Sequence, residues 1–592
     1  MAEQQAEANN LIHLGAGVGS KVENIKQNST YLRGKIAEEL QQDTSRFSED
    51  QIQLLKFHGT YQQEDRDQRQ ARKAAGAEKA YQFMVRSRIP GGVLTAEQYL
   101  AEDEIAGRYG NGSIRFTTRQ GIQLHGVLKG NLHATIKAIN DALLSTLAAC
   151  GDVNRNSMAC PAPTASRAHA RVHEIAHTLA LHFAPRSRAY HEIWLDGEQV
   201  ATVEHPEDEV VEPIYGSSYL PRKFKIGVAF PGDNCIDVYT QDIGLVAYME
   251  NQPGAEEEQL AGFTVLIGGG MGATHGKAET YPYLAQPLCY ITADEVVEVA
   301  QTIMSIQRDY GDRQNRKHAR MKYVVAERGT AWFRAELERR LGRSVQDPHP
   351  LAWRDVEDHL GWHDQGDGKW FLGILIDNGR VKDTGDMRVR SGLRAVVSEF
   401  RPGVHITPHQ NVLLTDIPSE QREQVAARLA EYGIETDPDK LGLRRFAMAC
   451  PALPTCGLAV AESERVAPAL VSAFEDELRA LGLENERVTI RMSGCPNGCS
   501  RPYLGDIGII GRSKGIYNIH LGGDQAGTHM NMLYAELVRQ ENLTATMRPL
   551  FKLWRDERQA GEAFGDFCYR VGFAYLREQT DPETGEVVQA RA

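Results

Sequence analysis

The 592-residue sequence has no uninterrupted run of about 18 apolar residues, the length a helix needs to span a bilayer, so no membrane segment is expected. It has no surplus of cations either. Its 66 lysines and arginines against 79 acids give a net charge of −13, which disfavours a general nucleic-acid binder and means that basic residues must be read locally. The opening stretch MAEQQAEANNLIHLGAGVGS carries acids where a secretory leader carries a basic region, and it lacks an apolar one, so a cytoplasmic protein is expected. The nine cysteines are odd in number and not spread as a disulfide framework, which fits a reducing compartment with thiols free for chemistry. The 19 histidines include one H-E-x-x-H spacing, His173 to His177 in VHEIAH, but no histidine-ligated metal is expected.

What the sequence does contain is the composition of a globular chain, 42% hydrophobic and 24% charged, with a length that suggests about four domains or half-domains. Residues 1 to about 25 read as a polar, mobile tail, and Tyr31 to about Ala80 as charged helical segments that pack on a partner or wrap the body. Sliding the sequence against itself by 290 residues aligns two places without a gap. IRFTTRQGIQLHGV meets VHITPHQNVLLTDI, so that Thr117 falls on Thr407, Gln120 on Gln410 and Leu124 on Leu414; MACPA at Met158 recurs at Met448. A duplicated α+β protein follows, with breaks near residues 81, 148, 351 and 433 and a linker at Arg339 to Pro350.

The copies differ in cysteine content. Cys160 and Cys450 are equivalent, but only the second copy adds Cys456 in CPALPTC and then, 38 residues on, Cys495 and Cys499 in CPNGC. Four soft thiolates complete either a cubane iron–sulfur cluster or a tetrahedral zinc site. The C-x5-C spacing and the prolines at positions 451, 454 and 496 favour the bulkier cluster. Cys150, Cys160, Cys235, Cys289 and Cys568 stand alone and read as small buried hydrophobes. VLIGGGMGATHG imitates a dinucleotide fingerprint at Gly268, Gly270 and Ala273, but glycine and proline follow where a helix should begin, so no nucleotide site is expected.

C-x5-C followed by C-P-N-G-C, preceded by R-x-R-x-P-G-G, T-x-R-Q, N-R-N and P-R-K-F-K, resembles the sirohaem and iron–sulfur sulfite/nitrite reductases, from about Tyr31 to FGDF at Phe564. The resemblance implies two ferredoxin-like half-domains (81–147 and 351–432), two larger α/β domains for sirohaem and cluster (148–350 and 433–592), and a partner-binding segment within 1–80. It implies six-electron reduction of sulfite to sulfide, with nitrite as an alternative substrate; a zinc-binding interaction protein is the non-enzyme alternative. The four cysteines would hold a 4Fe-4S cluster, Cys499 also serving as the axial ligand of the sirohaem iron. A small anion in a dry pocket needs cations and proton donors. Arg86, Arg155, Lys223 and Lys225 match the family's positions for that task, the two lysines sharing one face of an apparent strand. For the eight carboxylates of sirohaem, Arg115, Arg119, Gln123 and His125 alternate along one strand face; Arg222, Arg320 and Asn497 are further candidates, and the GGG run would let backbone approach the flat cofactor. No flavin or nicotinamide unit is visible, so electrons must come from another polypeptide, a flavoprotein subunit or alternatively ferredoxin.

Overall fold

A computed structural model describes residues 19–195, 212–250, 258–581 and 586–587. The first eighteen residues, and with them most of the expected tail, lie outside the described residues. The expected tail does not reach to residue 25, because Lys21–Gln27 is helical and buries Glu23 and Lys26. Buried Lys26 donates to the Leu220 carbonyl at 2.7 Å, which ties this helix to the body.

Alternation of apolar residues generates four five-stranded sheets in two matching pairs. The first copy supplies β1 (Thr60–Glu64), β2 (Tyr81–Ser87), β3 (Val93–Leu94), β4 (Ile114–Phe116), β5 (Ile122–Val127), β6 (Met158–Ala159), β7 (Ile226–Ala229), β8 (Ile243–Glu250), β9 (Gln259–Ile267) and β10 (Gln286–Thr292). The second supplies β11 (Gly361–Asp364), β12 (Lys369–Ile374), β13 (Arg380–Val381), β14 (Gly403–Ile406), β15 (Val412–Pro418), β16 (Ala447–Ala449), β17 (Ile490–Ser493), β18 (Ile507–Ser513), β19 (Ile516–Leu521) and β20 (Met532–Arg539). The small sheets run β1-β2-β5-β4-β13 and β11-β12-β15-β14-β3, so each half-domain takes its last strand from the other copy. The larger sheets run β6-β7-β8-β9-β10 and β16-β17-β18-β19-β20, with the first three strands parallel and the rest antiparallel in both.

The repeated T-x-x-Q segments explain how the halves meet. Both form the same turn, with Gln120 and Gln410 at positive φ and their N–H groups donating to Thr117 and Thr407. Gln120 Nε2 then reaches across to the Ile406 carbonyl at 3.1 Å, while Gln410 Nε2 reaches Phe116. On the same pseudo-twofold axis Arg501 donates to the carbonyls of Thr118 and Pro408, each at 3.0 Å, and its Nε to the buried Asp237 carboxylate. Shifting by 264 residues carries β7 onto β17 and Asp237 onto Arg501, both left-handed residues that open a 3-10 turn, so the pair on the axis is formed by equivalent positions.

Two expectations need correction here. The segment from Tyr31 to Ala80 does not stand apart from the folded body: β1 is the edge strand of the first sheet, Leu54, Leu55, Phe57 and His58 are buried, and Arg66 donates to the Ala459 carbonyl at 2.6 Å. The polar run YQQEDRDQRQARKAA wraps the body, its strand paired through backbone and its helix Arg69–Ala74 exposed. Nor do the GGG glycines clear room for a flat cofactor. A Cβ at Gly269 would stand 2.2 Å from the Tyr239 carbonyl oxygen and one at Gly523 2.4 Å from that of Leu504, so in both copies these glycines admit neighbouring backbone.

Candidate active site

Arg115 to His125 is not one strand. β4 and β5 form a tight hairpin in which Arg115 pairs with Gln123, and Arg119 sits in the turn. Ile122 and Leu124 fill the apolar face of β5, while Gln123 and His125 occupy the other face, equally buried. β2 brings Arg86 opposite Gln123. With the amide turned so that its oxygen faces the guanidinium, Gln123 accepts from Arg86 Nε at 3.0 Å. Arg86 also points Nη1 at the Cys150 sulfur, 2.8 Å away, and stacks over Tyr61.

The remaining cations converge from three segments. Phe224 bridges to Asn154 and is buried, which leaves Lys223 and Lys225 beside Arg155 on the way into β7. Burial, then Arg155, Lys225, Arg320 and Arg222, hold the Lys223 amine well below its ordinary range. Lys225 is lowered likewise by burial and by Arg119 and Arg320. Arg119 is brought down to about 9 by burial and Arg155, and Arg222 to about 10 by burial and Arg316. Six cations this close repel one another, and a polyanion or small oxyanion is what relieves them. The fit extends to unmet polar atoms: Arg119 Nε, His125 Nδ1 and both side-chain polar atoms of fully buried Asn154 have no protein partner.

Some candidates are already engaged. Arg115, 1% exposed, is ion-paired with Glu464 and donates to the Ala449 carbonyl, so it braces the start of the cysteine loop and is not free for a carboxylate ligand. Arg320 is held by Asp242 at 3.0 Å and Asn497 donates to Cys495 Sγ at 3.4 Å. Sequence reasoning missed Tyr61, Cys150, Lys56 and Lys322. Burial with Arg316 lowers Lys56 to about 8, and burial lowers Lys322 to about 7. Tyr61 lies in the FHGTYQQEDRD segment that carries the family resemblance, which was the available signal; nothing in the sequence marks Lys56 or Cys150.

The four cysteines meet in two loops after β16 and β17. Gly498, at φ +61, and Ala452, at φ +50, turn these loops. Gly494 N–H donates to Cys450 Sγ at 3.3 Å. Burial and the neighbouring sulfurs push Cys450 up to about 12 and Cys456 and Cys495 to about 11, so these three ionise only against a metal. Zinc held by four thiolates needs sulfurs about 3.8 Å apart. Among the described residues only Cys160, Asp233, Cys235 and His359 gather three or more metal donors within 4.8 Å. The wider set at Cys450, Cys456, Cys495 and Cys499 therefore suits a bulkier cluster and not a single zinc ion.

With this geometry the comparisons agree. The model "Nitrite and sulphite reductase 4Fe-4S domain" matches residues 174–345 and 443–588. The model "Nitrite/Sulfite reductase ferredoxin-like half domain" matches 76–142 and 363–432. The chain belongs to the nitrite and sulphite reductase family. It is 46% identical over 565 residues to "Sulfite reductase [NADPH] hemoprotein beta-component" of Staphylococcus saprophyticus subsp. saprophyticus, covering 95% of this chain and 97% of that protein. The protein of the same name from Geobacillus kaustophilus is 47% identical over 566 residues, with the same coverage. The solved structure of Mycobacterium tuberculosis NirA protein shares the fold, with a TM-score of 0.75 at 22% identity over 95% of this chain and 98% of that one.

Proposed function

We propose that this chain reduces sulfite to sulfide, with a sirohaem and a 4Fe-4S cluster that Cys450, Cys456, Cys495 and Cys499 would hold. The observation that carries the reading is the knot of cations made by Arg119, Arg155, Arg222, Lys223, Lys225 and Arg320, set in the same half-duplicated body as the cysteine loops. When bound, the paired cofactors supply the electrons and the iron that takes the anion. The protein's own share is charge and protons. Arg86 and Arg155, fixed in charge, orient the anion, and Gln123 and Cys150 hold Arg86 in place. An entering anion favours the ammonium forms of Lys223 and Lys225; the same amines then act as acids toward the departing oxygens, because their surroundings weaken their hold on the proton. Arg119, Gln123, His125 and Arg222 would hold the macrocycle's carboxylates, while Arg115, Arg320 and Asn497 position the loops nearby.

The names of the relatives include NADPH, and no nicotinamide site is visible among the described residues, so a flavoprotein subunit is the electron donor we favour over ferredoxin, in the cytoplasm. The reading is tested by steady-state kinetics with reduced methyl viologen, sulfite against nitrite, followed by NADPH with the flavoprotein. Sulfide from sulfite at a higher kcat/KM than ammonia from nitrite is expected. A cofactor-loaded enzyme that turns over nitrite alone would refute it.

A further inference from the structure

The duplication places a second cluster of metal-binding side chains where the first copy lacks the full cysteine set. By the 290-residue shift Cys160 is the counterpart of Cys450, and by the 264-residue shift that superposes β7 on β17, Cys235 is the counterpart of Cys499. The first copy thus retains two of the four cysteines. Asp233, the counterpart of Asn497, and His359, from the loop before β11, complete the group.

We propose that Cys160, Cys235, His359 and Asp233 form a four-coordinate site for a zinc ion, separate from the redox centre. Their four donor atoms all lie within 4.8 Å of one another. Cys160 Sγ is 3.5 Å from His359 Nε2 and 3.8 Å from Asp233 Oδ2, and His359 Nε2 is 3.5 Å from the same oxygen. A tetrahedron with zinc bond lengths has edges of roughly 3.3–3.8 Å, which these separations approach without rearrangement. Two thiolates, an imidazole and a carboxylate make a set that suits zinc over the hard cations magnesium and calcium. The outer contacts are those of a held ligand: Asp233 Oδ1 already accepts from the N–H groups of Cys235 at 2.9 Å and Glu357 at 3.1 Å, which fixes the carboxylate and turns Oδ2 inward. His359 takes a left-handed backbone, φ +57, uncommon for a residue with a side chain, and its ring is only 10% exposed. The ligands come from the end of β6, the loop after β7 and the entry to β11, so the ion would pin the first large domain to the second half-domain. With four protein ligands and no open position the site is structural.

The test is metal analysis of the holoenzyme purified without chelators from zinc-supplemented medium. We expect about one zinc per chain beside the cluster and haem iron, with an X-ray absorption edge showing a mixed sulfur and nitrogen/oxygen shell. Cys235→Ser and His359→Ala should lose the zinc while iron content and the haem spectrum stay. Wild-type protein without zinc after supplementation, zinc in an all-sulfur shell, zinc retained by both variants, or recovery of a Cys160–Cys235 disulfide from the native protein would each overturn the proposal. The wild-type measurements decide it even if a variant fails to fold, and none depends on the reaction proposed above.

Discussion

Replacing Asp237 by Asn removes the one carboxylate that stands between two guanidiniums on the pseudo-twofold axis. Asp237 is fully buried, accepts from Arg491 at 2.7 Å and from Arg501 Nε, and is held at about 2 against an ordinary 3.8. Burial alone would raise it; the two arginines win. That lowering is worth about 2 kcal/mol, at roughly 1.36 kcal/mol for each tenfold change in proton affinity. The asparagine also leaves two buried cations unmatched, and breaking a buried pair commonly costs about 3–5 kcal/mol. A loss near 3 kcal/mol is expected, or about 6 °C in Tm if a unit of about 250 residues melts cooperatively. Because the folded pKa is depressed, this stability is fully present above about 3.8 and is lost only as the pH falls toward 2. Calorimetry of variant and wild type should therefore give the same difference at pH 5 and pH 7. Adding Arg491→Met should return part of the loss, since it removes one of the unmatched charges. A variant that melts within about 1 °C of wild type, or a double variant whose losses simply add, would show that the axis is not held by charge.

Cys499→Ser should abolish sulfite reduction and uncouple haem from cluster, read from iron content and the visible spectrum; a wild-type spectrum with wild-type turnover would remove Cys499 from the bridging role. Lys223→Met and Lys225→Met should each lower turnover on the order of a hundredfold with both cofactors retained, and unchanged kinetics in both would return these lysines to the status of ordinary surface charges. Deleting residues 1–75 should abolish viologen- and NADPH-dependent activity alike, since β1 and its buried neighbours go with them; retained viologen activity would mean that β1 is dispensable. Glu102, buried against Ser87 and raised to about 7, keeps its proton in the folded state, so wild-type stability should fall as pH rises from about 4.5 to 7 and then level off. Glu102→Gln should flatten that slope, as thermal melts across the range would reveal.

The duplication was legible because T-x-x-Q and M-A-C-P-A make the contacts that join the copies, so divergence elsewhere left them in register. The cysteine loops were legible for a similar reason: the four cysteines and the turns that carry them lie within short segments. What sequence spacing could not show was partnership across the fold. Arg115 was assigned to an anion and is taken by Glu464, 349 residues away. The Arg115–His125 alternation spans a hairpin, because a two-residue period continues through a tight turn whose strands share a face. Cys150, Cys160 and Cys235, read as inert hydrophobes, sit against a guanidinium or a histidine and carboxylate that arrive from distant segments.

The exchange of β3 and β13 between the small sheets governs the order of assembly. The first sheet cannot complete its edge until Arg380 and Val381 exist, 264 residues after Phe116 ends β4. At a synthesis rate of roughly 5–20 residues per second, that edge stays open for roughly 15–50 s. During that interval the chain has an unpaired strand and no cofactor pocket, so the nascent first half must be shielded before it can be loaded. A chain cut in the loop between the copies would give two pieces, neither able to close its own small sheet, that become whole only by trading strands.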